Sequence, residues 1–213
     1  MKFEFSLHIE EMYHALDIKQ IPDVRLVSHL ERMKKYTGRD LRETVTRARV
    51  MDDAVLKTKK LIKDKHFLML LPDDLIIGNN CSKKMIAIHK KYKSSVMASM
   101  KVNKKNVSRW GIFKVKQHLP KNNFLIANVV EKPSVKSAPS NNAVIGRYIL
   151  PKKIFNNLKN QKKGKGGEVH ITDAIQSLIL NNNKFVGHNF AGKYLDCGTL
   201  KGYIDSSNKI SKL

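Results

Sequence analysis

Cysteine is almost missing from this chain. Cys81 and Cys197 are the only two in 213 residues, too few for a disulfide framework or a four-thiolate zinc site, and they point to a reducing compartment. Long apolar runs are missing as well. The longest, Phe67 to Leu71, is five residues, far below the roughly 20 that span a bilayer. Glu4 and Glu10 interrupt the start of the chain where a signal peptide needs an apolar core, so the sequence reads as cytoplasmic with no membrane partner. Acidic residues are scarce: 18 Asp+Glu stand against 41 Lys+Arg, a formal net charge of +23. Glycine, at 11 residues, excludes collagen-like structure, while 41% hydrophobic residues suffice for a core and argue against wholesale disorder.

The acid shortage is uneven. Residues 1–53 carry 4 Lys and 6 Arg against 10 Asp+Glu and contain no Asn; residues 54–213 carry 29 Lys and 2 Arg against 8 Asp+Glu and contain 17 Asn. The whole positive excess is therefore lysine in the second part. Proteins that read phosphates or base edges favour arginine for its bidentate fork, and these lysines are scattered, so a nucleic-acid partner is not expected. The seam sets residues 1–53 apart as a helical segment of unclear origin. Ile9, Met12, Tyr13 and Leu16 recur at helical spacing, Pro22 can open a second helix, and Asp40 with Glu43 forms a capping box for a third. His8, His14 and His29 share no metal-ligand spacing. Residues 206–213 read as a polar tail.

From residue 54 the period changes. HFLMLL (66–71) reads as a buried strand followed by Asp73 and Asp74. A helix with Met85, Ile88 and Tyr92 on one stripe comes next, then a strand near Val96 to Val102. WGIFKVK, FLIANVV and AVIGRYIL read as three more strands. Pro151 opens a short helix through Leu158, and Thr172 is the expected N-cap of ITDAIQSLIL. KFVGHNF and KYLDCG read as a closing hairpin that turns at Ala191 and Gly192. Strands alternating with helices predict an α/β fold with a parallel or mixed sheet over residues 54–205.

Ligands of such sheets sit beyond strand ends, and most of the eight carboxylates of this part fall there. Asp73 and Asp74 follow one strand and Glu131 another; Glu168 and Asp173 flank a glycine-rich loop and a helix start; Asp196 ends the last strand. Two of them could share a Mg²⁺, which takes a few oxygen ligands and leaves the rest to water and phosphate. Equally, strand ends are turns, and aspartate favours turns.

FLMLLPDDLI, GIFKV, NVVEKP, APSNNAVIGRYIL, GKGGEVHITDAI and LDCG occur in the order and approximate spacing of the bacterial UTP:glucose-1-phosphate uridylyltransferases. The chain resembles that family from about Ala54 to Tyr203. The resemblance implies a Rossmann-like three-layer nucleotidyltransferase sheet, incomplete at its N-terminal strands, and transfer of a uridylyl group from UTP to glucose 1-phosphate with release of pyrophosphate. It implies Asp73 and Asp196 as Mg²⁺ carboxylates, and Lys132 as the lysine that contacts the sugar phosphate. Glu131 would bond sugar hydroxyls and Gly111 would let backbone approach the sugar. Asn141 and Gly146 would line the sugar pocket, with Glu168 and Asp173 in a polar loop nearby. It also implies a homo-oligomer, or pairing with an intact paralogue.

The sequence departs from the family at its front. The GxGTR loop and PK motif that hold nucleotide phosphates have no counterpart in residues 1–53, and RVMDD stands where the family's uracil-reading GLGHA segment belongs. Leu200 replaces a family lysine, and His170 a common glutamine. Seam and departure coincide, which leads to the expectation of a truncated enzyme of reduced or absent activity whose first 53 residues are foreign to the fold. Two other readings follow: a non-catalytic remnant or regulatory subunit, and a basic nucleic-acid-binding protein.

Overall fold

The computed structural model describes residues 55, 58–71, 73–78, 80–160 and 171–212. The helical segment expected in residues 1–53 and the glycine-rich loop with Glu168 lie outside the described residues. Strands are β1 (His66–Leu70), β2 (Asp74–Ile77), β3 (Ser95–Lys101), β4 (Ile112–Leu119), β5 (Asn123–Val130), β6 (Asn142–Pro151), β7 (Phe185–Asn189) and β8 (Lys193–Asp196); helices are α1 (Cys81–Tyr92), α2 (Ile154–Asn160), α3 (Ile171–Leu180) and α4 (Leu200–Ile210). The longest of these helices has 12 residues, and among the described residues none is long and apolar enough to cross a membrane.

The described residues fall into two compact units. The smaller holds the described residues of 71–75 and 194–212, and the larger the rest. The larger unit is built on a six-stranded sheet in the order β1-β6-β3-β7-β5-β4. Only β3 and β7 run parallel within it, Ser95 facing Phe185; β1, β4 and β5 meet their neighbours antiparallel. The sheet is thus mixed, as expected, because the β4–β5 connection is a tight hairpin with Lys121 and Asn122 in the left-handed region. Helix α1 begins where the Asn80 side chain accepts the Lys83 N–H at 3.0 Å. It packs on β3 and β6, while α3 lies against β5 and α2.

Alternation and continuous runs are both visible in the burial. β6 is buried at nine of its ten positions, as a central strand covered on both faces should be. β1 is different: the expected buried strand has all five residues half-exposed. It sits at the end of the sheet with β6 as its one neighbour among the described residues. The expected closing hairpin is not formed. β7 inserts between β3 and β5, whereas β8 pairs with β2 in a separate two-stranded ribbon. Gly192 is needed for a close approach rather than a hairpin turn, since at φ +153° a Cβ there would stand 2.7 Å from the Ile77 carbonyl oxygen. Thr172 is not an N-cap; α3 already includes it in its first turn. The polar tail expected from residue 206 is helical through Ile210, with Ser206 buried.

Gly187 on β7 faces Phe124 on β5, and a Cβ at Gly187 would stand 2.2 Å from Phe124 Cζ. The ring cannot withdraw, because it is fully buried edge-on against Phe113 at 5.5 Å. Gly187→Ala should therefore cost about 3 kcal/mol, the upper end of the usual overpacking range, and lower the melting temperature by roughly 6–12 °C. Adding Phe124→Leu should recover part of that loss in the same thermal melt.

Both cysteines are free thiols. Cys81 is buried at the start of α1, and burial pushes its thiol up to about 11, outweighing the opposing charges of Arg147 and Lys84. A thiolate is the reactive form, so in native protein at pH 8 the buried Cys81 should react only on denaturation, while the half-exposed Cys197 is accessible to reagent. Two fast thiols in a timed alkylation would contradict this packing.

Candidate functional site

In the smaller unit, Asp73 stands in the turn before β2 and Asp196 closes β8. Their backbones are tied together, for the Cys197 N–H donates to the Asp73 carbonyl at 2.8 Å. Their side chains converge on Gly198. A Cβ placed there would stand 3.0 Å from Asp73 Oδ2 and 3.3 Å from Asp196 Oδ1, and the Gly198 N–H donates to Asp196 Oδ1 at 3.0 Å. Asp74 points elsewhere, its carboxylate accepting the Tyr194 hydroxyl from β8. The start of α4 fixes the Asp196 backbone. Thr199 caps the helix by accepting the Gly202 N–H at 3.0 Å, and a Cβ at Gly202 would come within 2.3 Å of the Asp196 carbonyl oxygen.

Two carboxylates brought to one glycine are a place where a cation can be held. Among the described residues no group of three or more His, Cys, Asp or Glu side chains could cage a metal ion. Asp73 and Asp196 thus form a two-carboxylate donor set, to which water or phosphate oxygens could add. That suits Mg²⁺, and it is unlike the closed N/S cages of structural zinc or the crowded oxygen shells of calcium.

In the larger unit, the loop before β4 and the end of β5 meet. The Gly111 carbonyl accepts the Val144 N–H at 2.8 Å, and the Trp110 carbonyl accepts the Lys132 N–H at 3.2 Å. Trp110 packs with Met100 and Val102 against the buried cluster of Val107, Ile112 and Ala143, which holds this loop in place. A Cβ at Gly111 would stand 3.1 Å from Glu131 Oε2, 3.2 Å from Val144 Cγ2 and 3.5 Å from Thr172 Cγ2. Glycine at 111 therefore lets the Glu131 carboxylate, Val144 and Thr172 close in on the backbone at this point. Lys132 follows, exposed and with its backbone in the left-handed region at φ +42°.

Asn141 is anchored just before β6: its N–H₂ donates to the Val102 carbonyl at 3.3 Å, and the Val102 N–H donates back to its carbonyl at 2.9 Å. The next loop residue back, Ser140, donates to the Phe113 carbonyl at 2.6 Å.

The structure thus brings Asp73 together with Asp196, and Gly111 together with Glu131, with Lys132 adjoining. It does not bring every expected pocket residue to Gly111. Gly146 lies five residues along β6 from Asn141, opposite the register shift between Met97 and Ala98. Asp173 lines a recess with Asn156, Asn157 and Asn160 between α2 and α3. Thr172, one residue earlier, is the α3 side chain that faces Gly111. It is buried, and its hydroxyl has no partner among the described residues. Neither Thr172 nor Gly198 stood out in the sequence as a site residue, although Gly198 is the last letter of LDCG and was legible there.

The chain belongs to the nucleotidyl transferase family, whose profile matches residues 18–212. Among its relatives is the UTP–glucose-1-phosphate uridylyltransferase of Pseudomonas aeruginosa, 33% identical over 166 residues, which cover 76% of this chain and 59% of that protein. UTP–glucose-1-phosphate uridylyltransferase 2 of Streptococcus pyogenes serotype M1 is 34% identical over 164 residues, covering 75% and 54%.

Solved structures agree. An apo UDP-glucose pyrophosphorylase superposes with a TM-score of 0.71 at 37% identity, covering 76% of this chain and 60% of that one. A UTP-bound enzyme of this kind from Acinetobacter baumannii gives 0.66 at 28% identity, covering 89% and 70%. The chain is thus similar to UDP-glucose pyrophosphorylases, and it spans little more than half the length of the curated relatives it matches. The family match begins at residue 18, inside the segment that composition sets apart. The family match thus starts ahead of the composition seam at Asp53.

Proposed function

We propose that this protein transfers a uridylyl group from UTP to glucose 1-phosphate, binding Mg²⁺ through Asp73 and Asp196. The observation that carries the reading is the convergence of these two carboxylates on Gly198. In the reaction a phosphate oxygen of glucose 1-phosphate attacks the α-phosphorus of UTP, the bond to the β-phosphate breaks and pyrophosphate leaves. Two anions must be brought together, so positioning and charge neutralisation carry most of the catalysis. Bound Mg²⁺ would supply neutralising charge on the phosphates. Lys132 holds the incoming sugar phosphate by its ammonium, Glu131 accepts hydrogen bonds from sugar hydroxyls, and the missing side chain at Gly111 admits the sugar ring.

Nucleotide binding is the weaker side of the site. Residues 1–53 contain no GxGTR loop, and without its backbone N–H groups the UTP phosphates lose their usual cradle. Calorimetry should show tighter binding of glucose 1-phosphate than of UTP, and turnover should be slow compared with relatives that carry the loop. Self-association is expected and is read by light scattering.

The deciding experiment is pyrophosphate release by the purified chain with UTP, glucose 1-phosphate and Mg²⁺. Release that requires all three supports the proposal. Absence both of release and of glucose 1-phosphate binding overturns it.

A further inference from the structure

We propose that the larger unit carries a second anion site, for a small polyphosphate, in the cavity walled by Lys63, Lys65, Lys93, Lys152, Lys153 and Lys184. The cavity measures about 490 Å³, a size typical of small-molecule sites. It lies away from Gly111. Gly111 meets β6 at Val144, and Pro151, seven residues further along that strand, stands in the cavity wall, so at about 3.3 Å per residue the two are roughly 23 Å apart.

General lysine richness does not explain this gathering. Half of the twelve lining residues are lysine, against 33 lysines in the chain of 213, and Asp64 is the single acid among them. The fold itself assembles them from four separate segments. The Lys152 N–H donates to the Lys65 carbonyl at 2.8 Å, and the Ser95 N–H donates to the Lys184 carbonyl at 3.1 Å. Lys93 occupies the left-handed cap that ends α1.

Ammonium groups held around one cavity repel each other, and a bound anion relieves that repulsion. The wall shows two further signs of an unmet polar demand. Ser94 is 2% exposed, and its hydroxyl has no partner among the described residues. The His66 imidazole lies 4.7 Å from that of His89. Burial, then His89, then the charge of Lys153 hold His66 below its ordinary value.

The chemistry selects the ligand class. Lysines act as point charges suited to phosphate. No phenylalanine, tyrosine or tryptophan lines the cavity and His66 is the one aromatic ring in its wall, so the wall lacks the row of stacking rings that holds successive nucleobases. The matching ligand carries two or more phosphates and needs no base.

The test is calorimetric titration of the full chain with inorganic triphosphate at physiological salt, without Mg²⁺. The triple variant Lys93→Asn/Lys152→Gln/Lys184→Gln should bind about tenfold or more weakly. Lys104→Gln/Lys114→Gln/Lys116→Gln, which removes the same charge elsewhere, should bind as the parent does. ATP should bind no more tightly than triphosphate, and the His66 and His89 ring resonances should shift on addition of triphosphate. Equal weakening in both triples, loss of binding in Lys132→Met instead, or tighter and equally cavity-dependent binding of a single-stranded oligonucleotide would each overturn the proposal.

Discussion

Asp73→Asn should lower pyrophosphate release by about a hundred- to a thousandfold, the usual loss when one preorganised electrostatic partner of a transition state is removed. Asparagine keeps the shape of the side chain and discards its charge. In the folded protein Asp73 and Asp196 approach the same glycine, so both are placed to act on one cation.

Asp196→Asn should behave likewise. Asp74→Asn is the control, since its carboxylate is engaged by Tyr194 and its loss should leave the rate within a few-fold of the parent. Added Mg²⁺ should raise the melting temperature of the parent and leave that of Asp73→Asn unmoved. An Asp73→Asn protein that turns over at the parental rate would remove the carboxylate pair from the chemistry.

Lys132→Gly should raise the KM for glucose 1-phosphate by about ten- to a hundredfold, as expected for loss of a charge-assisted contact worth about 1.5–3 kcal/mol. Stability should move the other way. Lys132 stands at φ +42°, where a residue with a Cβ is strained by about 1 kcal/mol and glycine is not. A lysine kept at such a position has a reason to be there. Here the left-handed turn sends the chain away from β5 directly after Glu131, while the Lys132 N–H stays bound to the Trp110 carbonyl. A merely structural lysine would give a more stable protein with unchanged kinetics; a phosphate-binding one gives a more stable protein that needs far more sugar phosphate. Melting curves and KM measured on the same preparation separate the two.

The parts of this molecule that were legible in sequence are those where local pattern and tertiary role agree. The runs FLIANVV and AVIGRYIL are apolar because β5 and β6 lie inside the sheet, and LPDD, EKP and LDCG stand at strand ends. The misreadings arose where pairing partners are far apart in sequence. Nothing local to KFVGHNF tells that β7 joins β3 and β5 rather than β8, because the hydrogen bonds that decide it come from residues near 95 and 125. The buried reading of HFLMLL failed for the same reason: composition describes a strand's own appetite for burial and says nothing of how many neighbours it has. Thr172 was hidden by its chemistry. A threonine before an apolar helix is a good cap by pattern, and only the fold shows that it faces Gly111.

The parallel seam at the middle of the sheet has a consequence for how the chain reaches this state. Ser95 finds Phe185 ninety residues later, whereas Leu119 finds Asn123 across a three-residue loop. Hairpin closure takes microseconds, and distant pairings wait on the loss of chain entropy. During synthesis the β4–β5 ribbon is complete long before β7 has left the ribosome. Until that wedge arrives, β3 and β5 hold their inner edges open to any passing strand, so the nascent chain is most exposed to misassociation in the interval between the ribbon's closure and the emergence of β7.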